Sequence, residues 1–340
     1  MGSWCATGTP LSGALHIAFA TATIERPIFE ENSGTAFHSH IDSHTTISEA
    51  LFLRNEGAVG TLQATLHLND STFIENSSSR NGGALVAQHS EVFVRGGHFE
   101  GNRSGVGAWS GAGVGGGAVA VVSATVSFRD TLFIENIATG PGGAVETYLG
   151  PQNPVPSEVV FENVIFADNE GTSTAAISAR DASLTLTNCL FYGNRRSSGG
   201  TSAGAVIRGS TSDLVLRNVT MADHVFPALA AGNDTTLSVR SSILWGHDTA
   251  IESVTPPDVG YSLIQGGYTG TGNLSTNPLF LDPSTLNFQP SQGSPAIDCG
   301  DPDAQAADYP LNPSGQPVDL AGAPRIQGGR VDCGAYEAGT

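Results

Sequence analysis

The chain of 340 residues contains no lysine, and only 14% of its residues carry charge. All fourteen basic residues are arginine, and the net charge is −18. The absence of lysine excludes every mechanism that needs a lysine base or Schiff base. We expect no nucleic-acid partner and no attraction to anionic lipid, because an acidic chain offers no basic patch to phosphate groups.

The chain also lacks a long hydrophobic run and a recognisable leader. No stretch reaches the roughly 18 consecutive apolar residues that would span a bilayer, and residues 1–19 have no basic region ahead of an apolar one. We therefore expect no membrane insertion by this segment and no signal peptide within it. The repeat described below is already present at Phe29, so the sequence is interpreted as a piece of a larger protein.

Cysteine is scarce, and its spacing is uninformative for metal binding. The four residues, Cys5, Cys189, Cys299 and Cys333, form no Cys-x-x-Cys motif, which argues against a zinc or thioredoxin-type site. Cys189 lies two residues before Phe191 and shares its side of the strand, so we predict a buried thiol. The pairing of Cys5 stays open.

Glycine is abundant, with 43 residues, and part of it belongs to an internal repeat. A complete repeat contains Phe-x-x-Asn followed by Gly-Gly-Ala and an aliphatic residue, a sequence that is clearest at 82–85, 116–119 and 142–145, while others have lost glycines, as at 57–59 and 174–177. Consecutive asparagines of the motif are 21 to 34 residues apart, so a constant unit carries loops of variable length. These asparagines are Asn32, Asn55, Asn76, Asn102, Asn136, Asn169 and Asn194.

Short alternating runs precede each Phe-x-x-Asn, for example at 92–94 and 184–186. Alternation with period 2 over so few residues indicates strands, and no helical pattern accompanies it. Three short strands per repeat predict an all-β fold, a right-handed parallel β-helix of about ten coils. We assign residues 1–257 to this solenoid, with the clearest repeats at 29–208, and residues 258–340 to a continuous C-terminal cap.

The repeated residues are predicted to be structural. Parallel coils stack about 4.7–4.9 Å apart, so equivalent phenylalanines form an interior column. The asparagines form a ladder at a turn, where their amides satisfy backbone groups and where left-handed backbone is tolerated. The glycine pairs supply the positive φ of the next corner.

The pairing of Gly-Gly-Ala-[Ile/Leu/Val] with Phe-x-x-Asn over about 29–208 resembles the repeats of polymorphic outer-membrane proteins. That resemblance implies a surface-exposed β-helical passenger or adhesin. Residues 258–338 resemble the choice-of-anchor domain of bacterial secreted β-helix proteins, through the successive motifs at 261–267, 277–280, 294–298, 319–325 and 331–337. This second resemblance implies a bacterial exported protein whose last element closes the solenoid.

The cap departs from the pattern that this resemblance leads us to expect. Cys299 and Cys333 stand where small residues are expected after Ile297-Asp298 and Val331-Asp332, so the resemblance implies a disulfide between them. No cofactor is expected, although calcium stays open because Asp298, Asp301 and Asp303 offer oxygen ligands. An acidic turn is the alternative.

Candidate functional residues lie on the strands after the glycines. If Val145 and its equivalents point inward, their neighbours form two outward columns: His38, Val86, Ala120, Glu146, Ser178 and Ile207, and beside them His40, Gln88, Val122, Tyr148, Arg180 and Gly209. The long loops at 105–117 and 150–156 are expected to flank them. Glu146, Tyr148 and Arg180 are candidate catalytic residues, and with Gln88 they are candidate glycan ligands. An ordinary solvated face is the third interpretation.

We predict a secreted or cell-surface bacterial protein, a rigid monomeric scaffold or adhesin-like module for a host or environmental glycan or a surface protein. The alternative is a polysaccharide lyase or glycoside hydrolase that uses Glu146, Tyr148 and Arg180, so enzymatic activity is left undecided. His38, His40 and His44 form the densest histidine cluster, and His38 and His40 share one strand face. A metal site is geometrically feasible there, but we assign none.

Overall fold

The computed structural model describes residues 13–105, 115–150, 154–197 and 204–338. Nearly all strands pair in parallel with the equivalent strand one repeat further along the chain. The fold is a parallel β-helix with ten coils in the described residues, which confirms the predicted fold class. Most of the predicted loop at 105–117, residues 151–153 of the predicted loop at 150–156, and Cys5 lie outside these residues.

Sheet 1 contains one strand from each coil, and the strands are stacked in chain order. Its members are Gly13–Ala18, Thr35–His40, Val59–Leu62, Leu85–Gln88, Val119–Val122, Val145–Tyr148, Thr174–Arg180, Ala205–Ser210, Leu229–Ala231 and Ile251–Ser253. This sheet carries the candidate site.

Sheet 2 contains two rows of segments from each coil. The first row is Thr21–Glu25, His44–Ser48, Thr65–Asn69, Glu91–Arg95, Ala182–Thr187, Asp213–Arg217, Thr236–Arg240 and Asp258–Gly260. The second row is Ile28–Glu30, Leu51–Leu53, Thr72–Ile74, His98–Glu100, Leu190–Tyr192, Thr220–Ala222, Ile243–Trp245 and Leu263–Ile264. In coils 5 and 6 the two rows join into the continuous strands Thr125–Ile134 and Ser157–Ala167.

Sheet 3 is a fourth, two-residue strand in five coils, directly after the asparagine of the motif. Its members are Ser77–Ser78, Arg103–Ser104, Ile137–Ala138, Glu170–Gly171 and Arg195–Arg196. The predicted three strands per coil are thus present, with this short addition. The C-terminal segment contributes an antiparallel pair, Phe280–Asp282 with Asn287–Pro290, and two 3₁₀ turns, Pro283–Thr285 and Ala306–Asp308.

A stack of phenylalanine rings fills the interior over the first seven coils. Successive ring centroids are 4.5–4.9 Å apart in the column formed by Phe29, Phe52, Phe73, Phe99, Phe133, Phe166 and Phe191. Phe128 and Phe161 meet this column edge-on at Phe133 and Phe166. Each ring therefore packs on the next coil, so the core is a continuous column along the axis.

The asparagines form a second column beside the phenylalanines. In each rung the backbone N–H and the side-chain Nδ2 of one asparagine donate to Oδ1 of the next, as Asn102 does to Asn136 at 3.1 and 3.0 Å. Asn136 Nδ2 also donates to the carbonyl of Phe99 at 2.9 Å. The left-handed backbone expected at this turn is found at the residue before the asparagine, such as Glu135 with φ 54°.

Two histidines continue the ladder beyond Asn194. Met221 pairs with Phe191 and Leu244 pairs with Met221, so the asparagine position of the motif falls on His224 and His247. Their rings stack at 5.2 Å, and His247 Nε2 lies 3.2 Å from the carbonyl of Met221. His247 therefore contacts the same backbone position that an asparagine contacts in earlier coils.

The two glycines of each pair have different tasks. Gly142 has φ +70°, a conformation that favours glycine because no Cβ meets the backbone. A Cβ added to Gly143 would lie 2.1 Å from the carbonyl oxygen of Ala175 in the next coil. The first glycine forms the corner, and the second allows adjacent coils to approach.

The C-terminal segment closes the last coil and then packs along the side of the solenoid. Leu274 N–H donates to the carbonyl of Ser262, and Leu274 also pairs with Leu263 at the last strand edge. Further along, Asn188 Nδ2 donates to the carbonyl of Val318 at 2.7 Å. The segment after Ile264, as far as residue 338, thus covers the end of the β-helix and also part of sheet 2.

A buried arginine organises the end of the chain. Arg325 is fully buried, with its Nη1 3.4 Å from Glu337 Oε1 and its guanidinium 5.5 Å from the ring centre of Tyr309. Burial raises the pKa of Glu337 to about 8, against the opposing effect of Arg325. Asp319 Oδ2 accepts the backbone N–H of Glu337 at 2.8 Å. These residues of the 319–337 motifs hold the segment together.

Removal of the cap disulfide should destabilise the protein. The structure joins Cys299 and Cys333, 34 residues apart, and leaves Cys189 free and buried. In the entropic account, a cross-link that closes such a loop lowers the conformational entropy of the unfolded chain. The folded protein is thereby stabilised by about 3–4 kcal/mol. The double variant Cys299→Ser/Cys333→Ser should therefore unfold at lower denaturant concentration. Cys189→Ser supplies a thiol control, and equal midpoints for the double variant and the wild type would contradict the assignment.

Candidate functional site

Strand register brings three of the candidate residues onto one part of sheet 1. Val122 pairs with Tyr148, and Ala120 pairs with Glu146, which in turn pairs with Ser178. Gln88 pairs with Val122 and so lies two coils from Tyr148. The structure therefore groups Glu146, Tyr148 and Arg180 and leaves Gln88 apart from them.

The predicted ends of the two columns are wrong. Ile207 pairs with Ile177 and is buried, whereas Arg208 follows Ser178 and Ser210 follows Arg180 in the outward positions. The cause is a register shift between Thr174 and Ile177, where one coil has an extra residue. A shift of one residue exchanges the two faces of a strand.

Glu146 is buried, which overturns the expectation of an exposed column. Its exposed fraction is 0%, and Ala120 and Ser178 beside it are buried as well. Gly115 lies directly against the carboxylate, since a Cβ added there would meet Glu146 Oε2 at 2.0 Å. Alternation along the strand predicts which way Glu146 points, but not which segment packs on top of it.

Glu146 and Arg180 form an ion pair across adjacent coils. Arg180 Nη2 donates to Glu146 Oε1, while within the described residues Oε2 has no hydrogen-bond partner. Arg180 is also held through its backbone, because its N–H donates to Thr147 Oγ1 at 2.9 Å. Burial raises the pKa of Glu146 to about 7, with the neighbouring Arg180 acting in the opposite direction.

Tyr148 is connected to the same site through Asn81. Asn81 Nδ2 donates to Tyr148 Oη at 2.5 Å, and Asn81 Oδ1 accepts the N–H of Gly115 at 3.1 Å. Burial raises the pKa of Tyr148. Asn81 did not stand out in the sequence, because it precedes the glycine pair in a single repeat.

The site combines a carboxyl group that titrates near neutral pH with a phenol and a guanidinium. A glutamic acid whose pKa lies near 7 can donate or accept a proton at physiological pH, which is a requirement of general acid–base catalysis. Such a group must also reach a substrate. The burial of Glu146 and its pairing with Arg180 restrict that access.

Stability should respond to the protonation of Glu146. Its pKa is about 7 in the folded state and 4.5 as an unperturbed group, so the folded protein holds the extra proton between these values. Stability due to this group therefore falls as the pH rises from 4.5 to 7. Glu146→Gln removes the titration, so the variant should gain up to about 3 kcal/mol relative to the wild type across this window. Denaturant unfolding of both proteins at several pH values measures this difference, and a constant difference would contradict it.

A histidine cluster lies near the first coils, with a different third member from the predicted one. His16 pairs in register with His38, and the rings of His16, His38 and His40 have centroids 5.1–5.8 Å apart. His44 belongs instead to sheet 2. Burial and the neighbouring histidines lower the pKa of His38 to about 4. His16 was missed because its coil lacks the recognisable motif.

The acidic residues of the cap make local contacts. Asp301 Oδ1 accepts the N–H of Asp303 at 3.0 Å, and Asp298 N–H donates to Asp332 Oδ1 at 2.7 Å. No group of three or more histidine, cysteine, aspartate or glutamate residues in the described ranges is arranged to hold a metal ion. Calcium binding, which the sequence left open, stays untested.

Parallel sheets stacked over ten coils, with ladders of identical side chains, define a β-helix repeat protein. Residues 70–88 match the family model of the Chlamydia polymorphic membrane protein repeat. The match includes Phe73, Asn76 and the pair Gly82-Gly83, and it supports a surface protein of bacterial type. A comparison with curated proteins found no match.

The C-terminal resemblance to the choice-of-anchor domain stays a prediction. Among the described residues, no helix has the length and apolar character needed to cross a membrane.

Proposed function

We propose that the protein is an exported surface scaffold that acts as an adhesin-like binding module for a glycan or a surface protein. The observation that carries this proposal is that the repeated residues are structural, whereas the surface residues differ from coil to coil. The repeated phenylalanines and asparagines are buried in continuous columns, and they hold the shape of the rod. The residues that vary from coil to coil occupy the surface and provide the chemistry for recognition.

The partly exposed part of the predicted face suits binding. Tyr148 and Arg180 are partly exposed, and their side chains are fixed by hydrogen bonds to Asn81 and to Glu146. Fixed side chains lose little conformational freedom when a ligand binds. A phenol and a guanidinium also present donors and a flat surface, to which sugar hydroxyls and sugar rings bind.

A polysaccharide lyase or glycoside hydrolase is the second candidate. The raised pKa of Glu146 favours it, because an acid near pH 7 with Tyr148 and Arg180 close by resembles the equipment of glycan cleavage. Against it stands the full burial of the carboxylate. Catalysis would require the segment over Glu146 to move before a substrate could reach it.

Incubation with a panel of uronans and neutral glycans separates the two functions. Binding would be followed by calorimetry, and cleavage by new reducing ends and by the ultraviolet absorbance of unsaturated products. The binding module should give saturable binding to a glycan or a surface protein with no product. Turnover that disappears in Arg180→Ala or Tyr148→Phe would contradict the scaffold and support the enzyme.

A further inference from the structure

A groove runs along the corner between sheet 1 and the first row of sheet 2, away from Glu146. It extends over coils 2 to 5, with Val155 and Pro156 at its far end, and has a volume of about 530 Å³. That volume falls within the roughly 300–1,000 Å³ of ligand-binding clefts. With coils about 4.8 Å apart, four coils give the groove a length of about 14 Å between the first and the last.

The floor of the groove is a column of small side chains. Ser43, Ala64, Ser90 and Ala124 occupy equivalent corner positions in successive coils, and all are buried. Ser90 Oγ donates to the carbonyl of Gln88 at 2.8 Å and accepts the N–H of Ala64 at 3.2 Å. The floor is therefore held in place by hydrogen bonds, and the surface recedes there because no large residue fills the corner.

The walls repeat with the coil spacing. One wall carries Asp42, Gln63, His89 and Ser123, which have positive φ at the corner, and the other carries His44, Thr65, Glu91 and Thr125 in register. These residues offer hydrogen-bond donors and acceptors at every coil. The lining contains two carboxylates and no arginine, so it disfavours a polyanionic ligand.

An aromatic surface continues from the same wall. Phe93 follows Glu91 by two residues and points outward, with 39% of its surface exposed. Its ring stacks on His67 of the preceding coil, with centroids 4.7 Å apart and planes 12° from parallel. Two residues along a strand are about 6.6 Å, so this platform lies beside the groove.

We propose that this groove binds an extended neutral glycan, with one sugar per coil and with Phe93 and His67 as a stacking platform. The coils are ~4.8 Å apart, a spacing close to the length of one sugar in an extended β-1,4-linked chain, so the sugar hydroxyls meet equivalent side chains in successive coils. Stacking on an exposed aromatic ring adds apolar contact to the hydrogen bonds. The inference rests on the proposed binding function but places the ligand on a different surface from Tyr148 and Arg180.

Calorimetric titration with cellohexaose and chitohexaose tests the groove, with hexagalacturonate as the anionic comparison. We expect the wild type to bind a neutral probe at least about tenfold more tightly than hexagalacturonate, a difference of about 1.4 kcal/mol. His89→Ala/Glu91→Ala and, separately, Phe93→Ala should each weaken binding by about tenfold or more. The matched control is His98→Ala/Glu100→Ala, which removes the same residue types from the second row of the same coil.

Each outcome decides between the surfaces. Equal affinities of the groove variant and its control would overturn the groove. Loss of binding only in Arg180→Ala would also overturn it, while the proposed binding function would stand. If the wild type binds neither neutral probe, the proposed glycan groove is wrong as well. The proposed function would then still stand if the protein binds a surface protein.

Discussion

Replacing Phe133 with alanine is expected to lower the free energy of unfolding by about 3–5 kcal/mol. Phe133 is fully buried, with its ring 4.9 Å from those of both Phe99 and Phe166. Phe128 and Phe161 also contact it edge-on. The truncation leaves a cavity that a column stacked on both sides cannot close. Denaturant unfolding followed by circular dichroism measures the loss.

Phe93→Ala is the matched control, since it makes the same truncation at a ring that is 39% exposed and lies outside the core. Its effect on stability should stay within about 1 kcal/mol, because surface substitutions cost little. If the two variants lose the same free energy of unfolding, the assignment of Phe133 to an interior column that stabilises the fold is contradicted.

Asn136→Ala is expected to cost about 3–6 kcal/mol, because several buried polar groups lose their partners at about 1–3 kcal/mol each. Asn136 Oδ1 accepts from the backbone and the side chain of Asn102, and its Nδ2 donates to the carbonyl of Phe99. Its Nδ2 also donates to Asn169 Oδ1 at 2.9 Å. Alanine replaces none of these bonds.

Asn32→Ala serves as the control for the ladder. Asn32 stands at the first rung and donates to Asn55 Oδ1, at 3.1 Å from its backbone and 2.7 Å from its side chain. Its backbone bond survives the substitution, and its side chain is partly exposed, so the loss should be about 1 kcal/mol. Comparable losses for Asn32→Ala and Asn136→Ala would show that the ladder does not satisfy buried groups as described.

The fold could be predicted from the sequence because successive coils of a solenoid need the same residue types at the same positions. Each of the first seven coils places a phenylalanine and an asparagine at the same distance from a corner, so one motif specifies a strand, a turn and a stack at once. The single motif gives no information on the short third sheet, whose strands differ in every coil. It also gives no information on the C-terminal segment, because side packing such as Asn188 with Val318 joins residues 130 positions apart.

The sequence predicted which residues of the candidate site lie close together, but not how deeply they are buried. Strand parity correctly brought Glu146 next to Arg180, because both positions follow from period 2 and parallel register. Gly115, which packs against the buried carboxylate of Glu146, lies in a loop region outside the repeat. The position of Ile207 depends on one extra residue in a neighbouring coil, and no motif marks that shift.

The groove was missed although its signal is present in the sequence. A small residue follows each corner residue at Ser43, Ala64, Ser90 and Ala124, and this regularity stands outside the more conspicuous Phe-x-x-Asn pattern. Repeated large residues draw attention because they build the core. Repeated small ones mark where the surface recedes.

The division between a structural interior and a binding surface is tested most directly by titrating wild type and Phe133→Ala with cellohexaose under conditions in which both are folded. The account predicts that the two dissociation constants agree within about twofold, a difference of about 0.4 kcal/mol, while the unfolding midpoint of the variant falls. No cleavage product should form in either sample. Loss of binding in the folded variant by more than about tenfold, or formation of product by the wild type, would contradict the account.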